Sequence, residues 1–380
     1  MMTKPFLYCV ILLSSLLCSQ IGSTTPTIVF SYEIKICVRN QGTKPLDMHA
    51  AISSLLLFPN TTWQTTSVLN TSHPILSIKS DEDGNPRLLL NISDVLEPGE
   101  NVTLMAEYRV SSESRVPPCL SLEGSGHLSD VPEQLVSEFC CEAGCWTVGF
   151  EPLRKLALNL TDEETNVLKI LSSFMTWIYE NIAYHQFETP LYPNETYVSR
   201  MGAYDDQANL LITLCRIVGI PAYLQIGYIF TPDHQDELFI GAGHVVWKLV
   251  NIRWHAWAVA YIPPWGWLPI DLSVINGALF DPLDAIRKAL IWDQHTVLLA
   301  EVKRTDYVAA TREAVEFFRK HGIYVYREEH LDLWIEGENM MAILWPFLIA
   351  SSVMLPISFV AVLLAMRSRR QSGGKKMGDR

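Results

Sequence analysis

The sequence predicts an α+β protein: an N-terminal β-sandwich, then a mixed helix-and-strand core, then one C-terminal membrane helix. Three observations predict it. Short apolar runs broken by Gly, Pro and Asn turns fill the first part of the chain. Apolar-striped helices alternating with apolar strands follow. A long uncharged run, residues 340–366, comes near the end.

Residues 1–23 have the layout of a secretory signal: Lys4, the apolar run Phe6–Leu17, then small polar residues around Gly22 and Ser23. That run is too short to favour a spanning helix. Residues 24–112 form the expected sandwich. Ile28–Arg39, Leu55–Phe58, Arg87–Asn91 and Val102–Val110 read as strands. The turn signals between them include Asn40-Gln41-Gly42, Asp83-Gly84-Asn85-Pro86 and Glu97-Pro98-Gly99. Val102, Leu104, Ala106 and Tyr108 alternate as on a half-buried strand. No catalytic constellation falls here, which suits a structural or adhesive module.

Residues 113–150 are a Cys-containing connector, loop-like in its Ser, Pro and Gly content. Residues 151–335 form the core. Thr161 and Glu164 read as a capping box, followed by a helical stripe of Val167, Ile170, Leu171, Phe174, Trp177 and Ile178. Gly202-Ala203-Tyr204 opens a second helix, whose stripe is Ala208, Leu211, Leu214, Cys215 and Val218, and Gly219 stops it. A strand Ala222–Ile229 and a polar loop Thr231–Glu237 come next. The strand Arg253–Ile262 carries His255, and Trp267–Leu272 carries Asp271. A helix from Asp281-Pro282, a second at Asp306–His321 closed by Gly322, a short strand Ile323–Tyr326 and an acidic lead over 328–339 complete the core.

Residues 340–366 are long enough to cross about 30 Å of hydrocarbon. The basic tail 367–380, with Arg367, Arg369 and Arg370 directly after the run, points to the cytoplasmic side. The expected protein is therefore single-pass, with its N-terminal domains outside the cell. Six Asn-x-Ser/Thr sequons, at Asn60, Asn70, Asn91, Asn101, Asn159 and Asn194, agree with a glycosylated exterior. So do six cysteines between the apolar ends, enough for three disulfides of undetermined pairing. The net charge of −12 argues against nucleic acid or anionic lipid as a partner of the outer portion.

The candidate chemistry lies at Tyr204, His255 and Asp271. A helix N-terminus beside adjacent strands suits a low-pKa thiol, and a carboxylate would fix the tautomer of a neighbouring imidazole. Tyr204 stands at the start of such a helix. Cys215 lies on the buried stripe three turns further along and does not supply that thiol. Asp205 and Asp206 read as dipole-stabilising caps. Asp233, His234, Asp236, Glu237 and His244 fit no EF-hand or zinc spacing and read as a solvated acidic loop. Cys140, Cys141 and Cys145 lack the second pair a zinc site needs. Trp254, Trp257, Trp265 and Trp267 suit either a cleft wall or the core.

The motifs Gly202-Ala203-Tyr204, Trp254-His255-Ala256-Trp257 and Gly266-Trp267-Leu268-Pro269-Ile270-Asp271, in this order, resemble the transglutaminase-like superfamily. The chain is similar to its microbial, especially archaeal, membrane-anchored members, from about residue 160 to 275. The resemblance implies a papain-like, transglutaminase-like core, with His255 as general base, Asp271 as its orienting carboxylate and Tyr204 at the nucleophile position. A tyrosine titrates near 10 against about 8.5 for cysteine and is a weaker nucleophile. The expectation is a catalytically degenerate core that binds extracellular protein or peptide, with no cofactor and no metal. An active protease or transamidase using His255 and Asp271 is the alternative.

Overall fold

The computed structural model describes residues 27–48, 54–274, 281–292 and 295–334. Those up to Leu333 form one compact unit. The expected signal, membrane helix and basic tail lie outside the described residues. Among the described residues, no helix is long and apolar enough to cross a membrane.

Eight strands come from the first part: β1 (Thr27–Asn40), β2 (Leu46–Asp47), β3 (Ser54–Leu56), β4 (Gln64–Thr71), β5 (Ile75–Ser80), β6 (Pro86–Leu90), β7 (Val95–Leu96) and β8 (Asn101–Glu113). Helices α1 (Glu133–Phe139), α2 (Glu151–Thr161) and α3 (Val167–Asn181) follow, then β9 (Ala183–Tyr184), α4 (Pro193–Ser199), β10 (Met201–Gly202) and α5 (Tyr204–Ile217). The chain continues through β11 (Ala222–Ile240), β12 (Val245–Ile262), β13 (Gly266–Ile270), α6 (Asp284–Arg287), β14 (Thr296–Val302), α7 (Tyr307–His321) and β15 (Ile323–Leu333).

The expected sandwich does not stand apart from the core. One large sheet runs β14-β11-β12-β15-β1-β8-β4, with β13 beside β12. The late strand β15 lies between the two parts. It pairs antiparallel with β1, Phe30 opposite Leu333, and parallel with β12, Val245 opposite Val325. A second layer of three strands, β3-β6-β5, supplies Leu55, Leu88 and Leu90 to a core that also takes Phe30, Tyr32, Tyr228, Leu249 and Val297. The sandwich thus shares one of its layers with the core, across the expected boundary at residue 112. Local alternation cannot report such a pairing, because strands 27–40 and 323–333 meet across almost the whole chain.

Other expectations also change. The connector contains a helix, α1. Thr161 ends α2 instead of capping α3: its hydroxyl donates to the Ala157 carbonyl, and Asp162 closes the helix in the left-handed region. Asn166 is the true cap of α3, accepting from the Lys169 N–H at 3.0 Å. The polar stretch 231–237 is not a free loop, since β11 re-pairs with β12 from Gln235 onward after a register shift. The helix expected at Asp281 is only the short α6, with Asp281 accepting from the Leu283 N–H.

Helix α5 packs on the sheet as its stripe predicts. Leu210, Leu211, Leu214 and Cys215 are fully buried against Ala256, Ala258 and Ala260 of β12. Three alanines at alternate positions give a smooth face on which a helix can lie close. The opposite face of β12 presents Trp257 and Val259 to a small third cluster with Phe139 and Tyr223. Each buried Leu is worth about 1.5–3 kcal/mol. Gly219, at φ +85°, ends α5 where a side chain would be strained.

Candidate active site

The helix-on-sheet packing sets the site. Tyr204 is the first residue of α5. Asp206, one turn in, accepts from the Ala203 N–H at 2.9 Å and from the Leu191 N–H at 2.7 Å. These bonds tie the helix start to the segment leading into α4. Gly202 is required by close approach: a Cβ there would meet the Asp206 Cβ at 2.8 Å.

His255 and Asp271 come together as predicted. His255 Nε2 lies 2.8 Å from Asp271 Oδ2, and both side chains are buried. Sequence reasoning missed Ser273. Its hydroxyl donates to Asp271 Oδ1 at 2.7 Å, and its N–H donates to the same oxygen at 3.0 Å. The signal was present, since an Asp with Ser two residues on is an Asx-turn pattern. Burial alone would raise the Asp271 carboxyl, but His255 and Ser273 outweigh it and hold the carboxyl below its ordinary value. The carboxylate is therefore ionised and fixes the imidazole from the Nε2 side.

The other face of the imidazole meets Tyr204. The two ring centroids are 4.7 Å apart, and Trp254 lies 5.7 Å from the same tyrosine. The Tyr204 ring also packs beside Tyr184, 6.0 Å between centroids, and among the described residues its hydroxyl makes no hydrogen bond to His255. Burial above all pushes the phenol well above its usual value. A nucleophile needs the reverse shift.

Tyr204, His255, Trp254 and Ser273 line a cavity of about 1050 Å³. Tyr184 and Phe187 add aromatic wall, and Asp236 and His234 reach it from β11. Of the four tryptophans, Trp254 alone lines this cavity. Trp257 is buried, donating to Gln225 Oε1 at 2.8 Å, and Trp267 packs on Phe139 and Tyr223. Asp205 is buried beside Asp206. Burial, then the neighbouring Asp206, raises the Asp205 carboxyl to about 7; burial also raises Asp206, to about 6, against the two backbone N–H bonds that lower it. Asp233, His234, Asp236, Glu237 and His244 do not converge: His244 faces the Ile323 carbonyl and stacks on Tyr324. No cluster of His, Cys, Asp or Glu among the described residues could hold a metal. Cys215 is a core residue, and the six described cysteines are free thiols.

Residues 154–272 match the sequence pattern of the transglutaminase-like superfamily. This stretch is a transglutaminase-like domain. A candidate cysteine protease from Cytophaga hutchinsonii has a similar structure, at 17% identity and a TM-score of 0.50, covering 82% of this chain and 92% of that one. The periplasmic domain of TgpA from Pseudomonas aeruginosa bound to ethylmercury also matches, at 16% identity and a TM-score of 0.33, covering 68% and 93%. No curated protein matches the chain. The transglutaminase-like domain brings the predicted His255 and Asp271 into contact and sets Tyr204 against them.

Proposed function

We propose that this is an exported, single-pass surface protein whose transglutaminase-like cleft binds extracellular protein or peptide and does not catalyse acyl transfer. One observation carries the reading: the Tyr204 ring packs against the imidazole of His255, 4.7 Å between centroids, and among the described residues no hydrogen bond joins its hydroxyl to that imidazole. His255 and its carboxylate partner are in contact, but the group beside them is a protonated phenol that makes no hydrogen bond to the imidazole among the described residues. Nothing in that geometry abstracts the phenol proton. The aromatic-lined cavity beside it is of a size that holds a peptide side chain or short segment. Export is supported by the signal-like start, the uncharged run 340–366 with its basic tail, and the density of sequons.

Amidase and amine-incorporation assays on wild type, His255→Ala and Tyr204→Cys test the reading. Wild type is expected to be inactive. Tyr204→Cys is expected to gain activity that a further His255→Ala removes. Wild-type activity abolished by His255→Ala would replace this reading with that of an active amidase or transamidase.

A further inference from the structure

The second, three-stranded layer ends in an awkward edge. Among the described residues, strand β5 pairs with β6 on one side only. Three of its exposed side chains are apolar: Ile75, Leu76 and Ile78 are 46%, 59% and 55% exposed. Leu69, on the neighbouring edge strand β4 of the large sheet, is 43% exposed. Unpaired edges of this kind template association with another chain. Lys79 is the single charge on β5 and lies toward its far end.

Two sequons flank the start of this strand. Asn70 is the last residue but one of β4, five residues before Ile75, and is exposed. Asn91 directly follows β6, and its N–H donates to the Pro74 carbonyl, so it sits beside the first residue of β5. Asn91 is also exposed. The Asn70 Oδ1 accepts from the Thr71 N–H, and neither Asn70 nor Asn91 uses its Nδ2 toward any described residue. Their sequon hydroxyls, Ser72 and Ser93, are exposed too. Asn194 is the contrast. Its Oδ1 is enclosed, and Thr196 of its sequon is fully buried.

We infer that Asn70 and Asn91 carry N-linked glycans, and that these cover the apolar edge strand β5 and keep the protein monomeric. This rests on the export proposed above. In the transfer, Asn Nδ2 forms a bond to C1 of an oligosaccharide held on a polyprenyl diphosphate. The C1–oxygen bond to the diphosphate breaks, the lipid diphosphate leaves, and one Nδ2 proton passes to solvent. A bulky, hydrated sugar on each side of Pro74 then blocks the approach that pairing with β5 requires. Neither asparagine lines the cavity at His255, so the cleft stays open.

The full chain, expressed in a cell whose export membrane carries an oligosaccharyl transferase, tests this. Enzymatic sugar release in ¹⁸O water followed by peptide mass spectrometry reads the sites. Label is expected at Asn70 and Asn91 and none at Asn194. Size-exclusion chromatography with light scattering is expected to show a monomer for wild type and for Asn60→Gln/Asn101→Gln. Asn70→Gln/Asn91→Gln is expected to associate, and adding Leu76→Lys and Ile78→Lys is expected to restore the monomer. Exported chain with bare Asn70 and Asn91 would overturn the shield alone, as would a monomeric Asn70→Gln/Asn91→Gln. A chain that is neither exported nor glycosylated would overturn it together with the export reading.

Discussion

Asp271 shows how one residue can be placed by sequence and still be understood only in the structure. Its role beside His255 follows from the order of the motifs. The Ser273 bonds that hold its second oxygen follow from a turn that the expected strand end at Leu272 concealed. Replacing Asp271 by Asn leaves a buried imidazole without its charged partner, at a cost of about 1–3 kcal/mol near neutral pH. The sign of the pH dependence is fixed by the shift. The folded carboxyl titrates below its unfolded value of about 3.9, so its stabilisation is complete above that unfolded value and is lost as pH falls from it through the lower folded one. Urea unfolding of wild type and Asp271→Asn should therefore show a gap at about pH 7 that closes toward about pH 3. A gap constant across that range would contradict the ionised-pair assignment. Tyr204 is the complementary case. The sequence puts a phenol at the start of α5, but does not show that its ring would pack against the imidazole. That depends on Tyr184 and Trp254, which approach from other elements.

The elements were legible where their periodicity was strong. α3, α5, α7, β1, β8 and the His255 strand all lie close to their expected positions. Elements whose ends depend on distant partners were not. β4 and β5 are polar or mostly exposed strands without clean alternation. The turn after β5 carries a function that only the fold shows. Asp83, 7% exposed, accepts the N–H groups of Lys303 and Arg304 at 3.0 and 2.7 Å and the hydroxyl of Thr305. Asn85 bonds the N–H and carbonyl of Glu301. This turn therefore pins the second layer to the end of β14. Asp83→Ala strands these donors and should cost about 3 kcal/mol, since bonds to a charged acceptor are worth about 1.5–3 kcal/mol each. Asp83→Asn, which keeps an acceptor oxygen, should lose less. Equal midpoints for both variants in urea would show that the turn is not an anchor.

For the whole molecule, the decisive fact is the position of β15. Composition and turn signals divide the chain at about residue 112, and a transglutaminase-like domain covers 154–272. Both suggest that the later part could fold alone. The sheet argues otherwise. β15 hydrogen-bonds β1 along Phe30–Asn40 and β12 along Val245–Val250, so removing residues 1–112 exposes one whole edge of β15. It also uncovers Tyr228, Leu249, Ile252, Val297 and Leu299, which lie in the same core as Phe30, Tyr32 and Tyr108. Those five side chains represent several kcal/mol of burial at about 1.5–3 kcal/mol each, a large share of a stability of about 5–15 kcal/mol. A fragment of residues 113–334 is therefore expected to be unfolded or aggregated, while 24–334 is expected to unfold in one cooperative step with His255 and Asp271 in contact. Circular dichroism, limited proteolysis and a single urea transition read this directly. A fragment 113–334 that melts cooperatively near the parent temperature would mean that the two parts are separate folding units after all, and that β15 needs β12 alone.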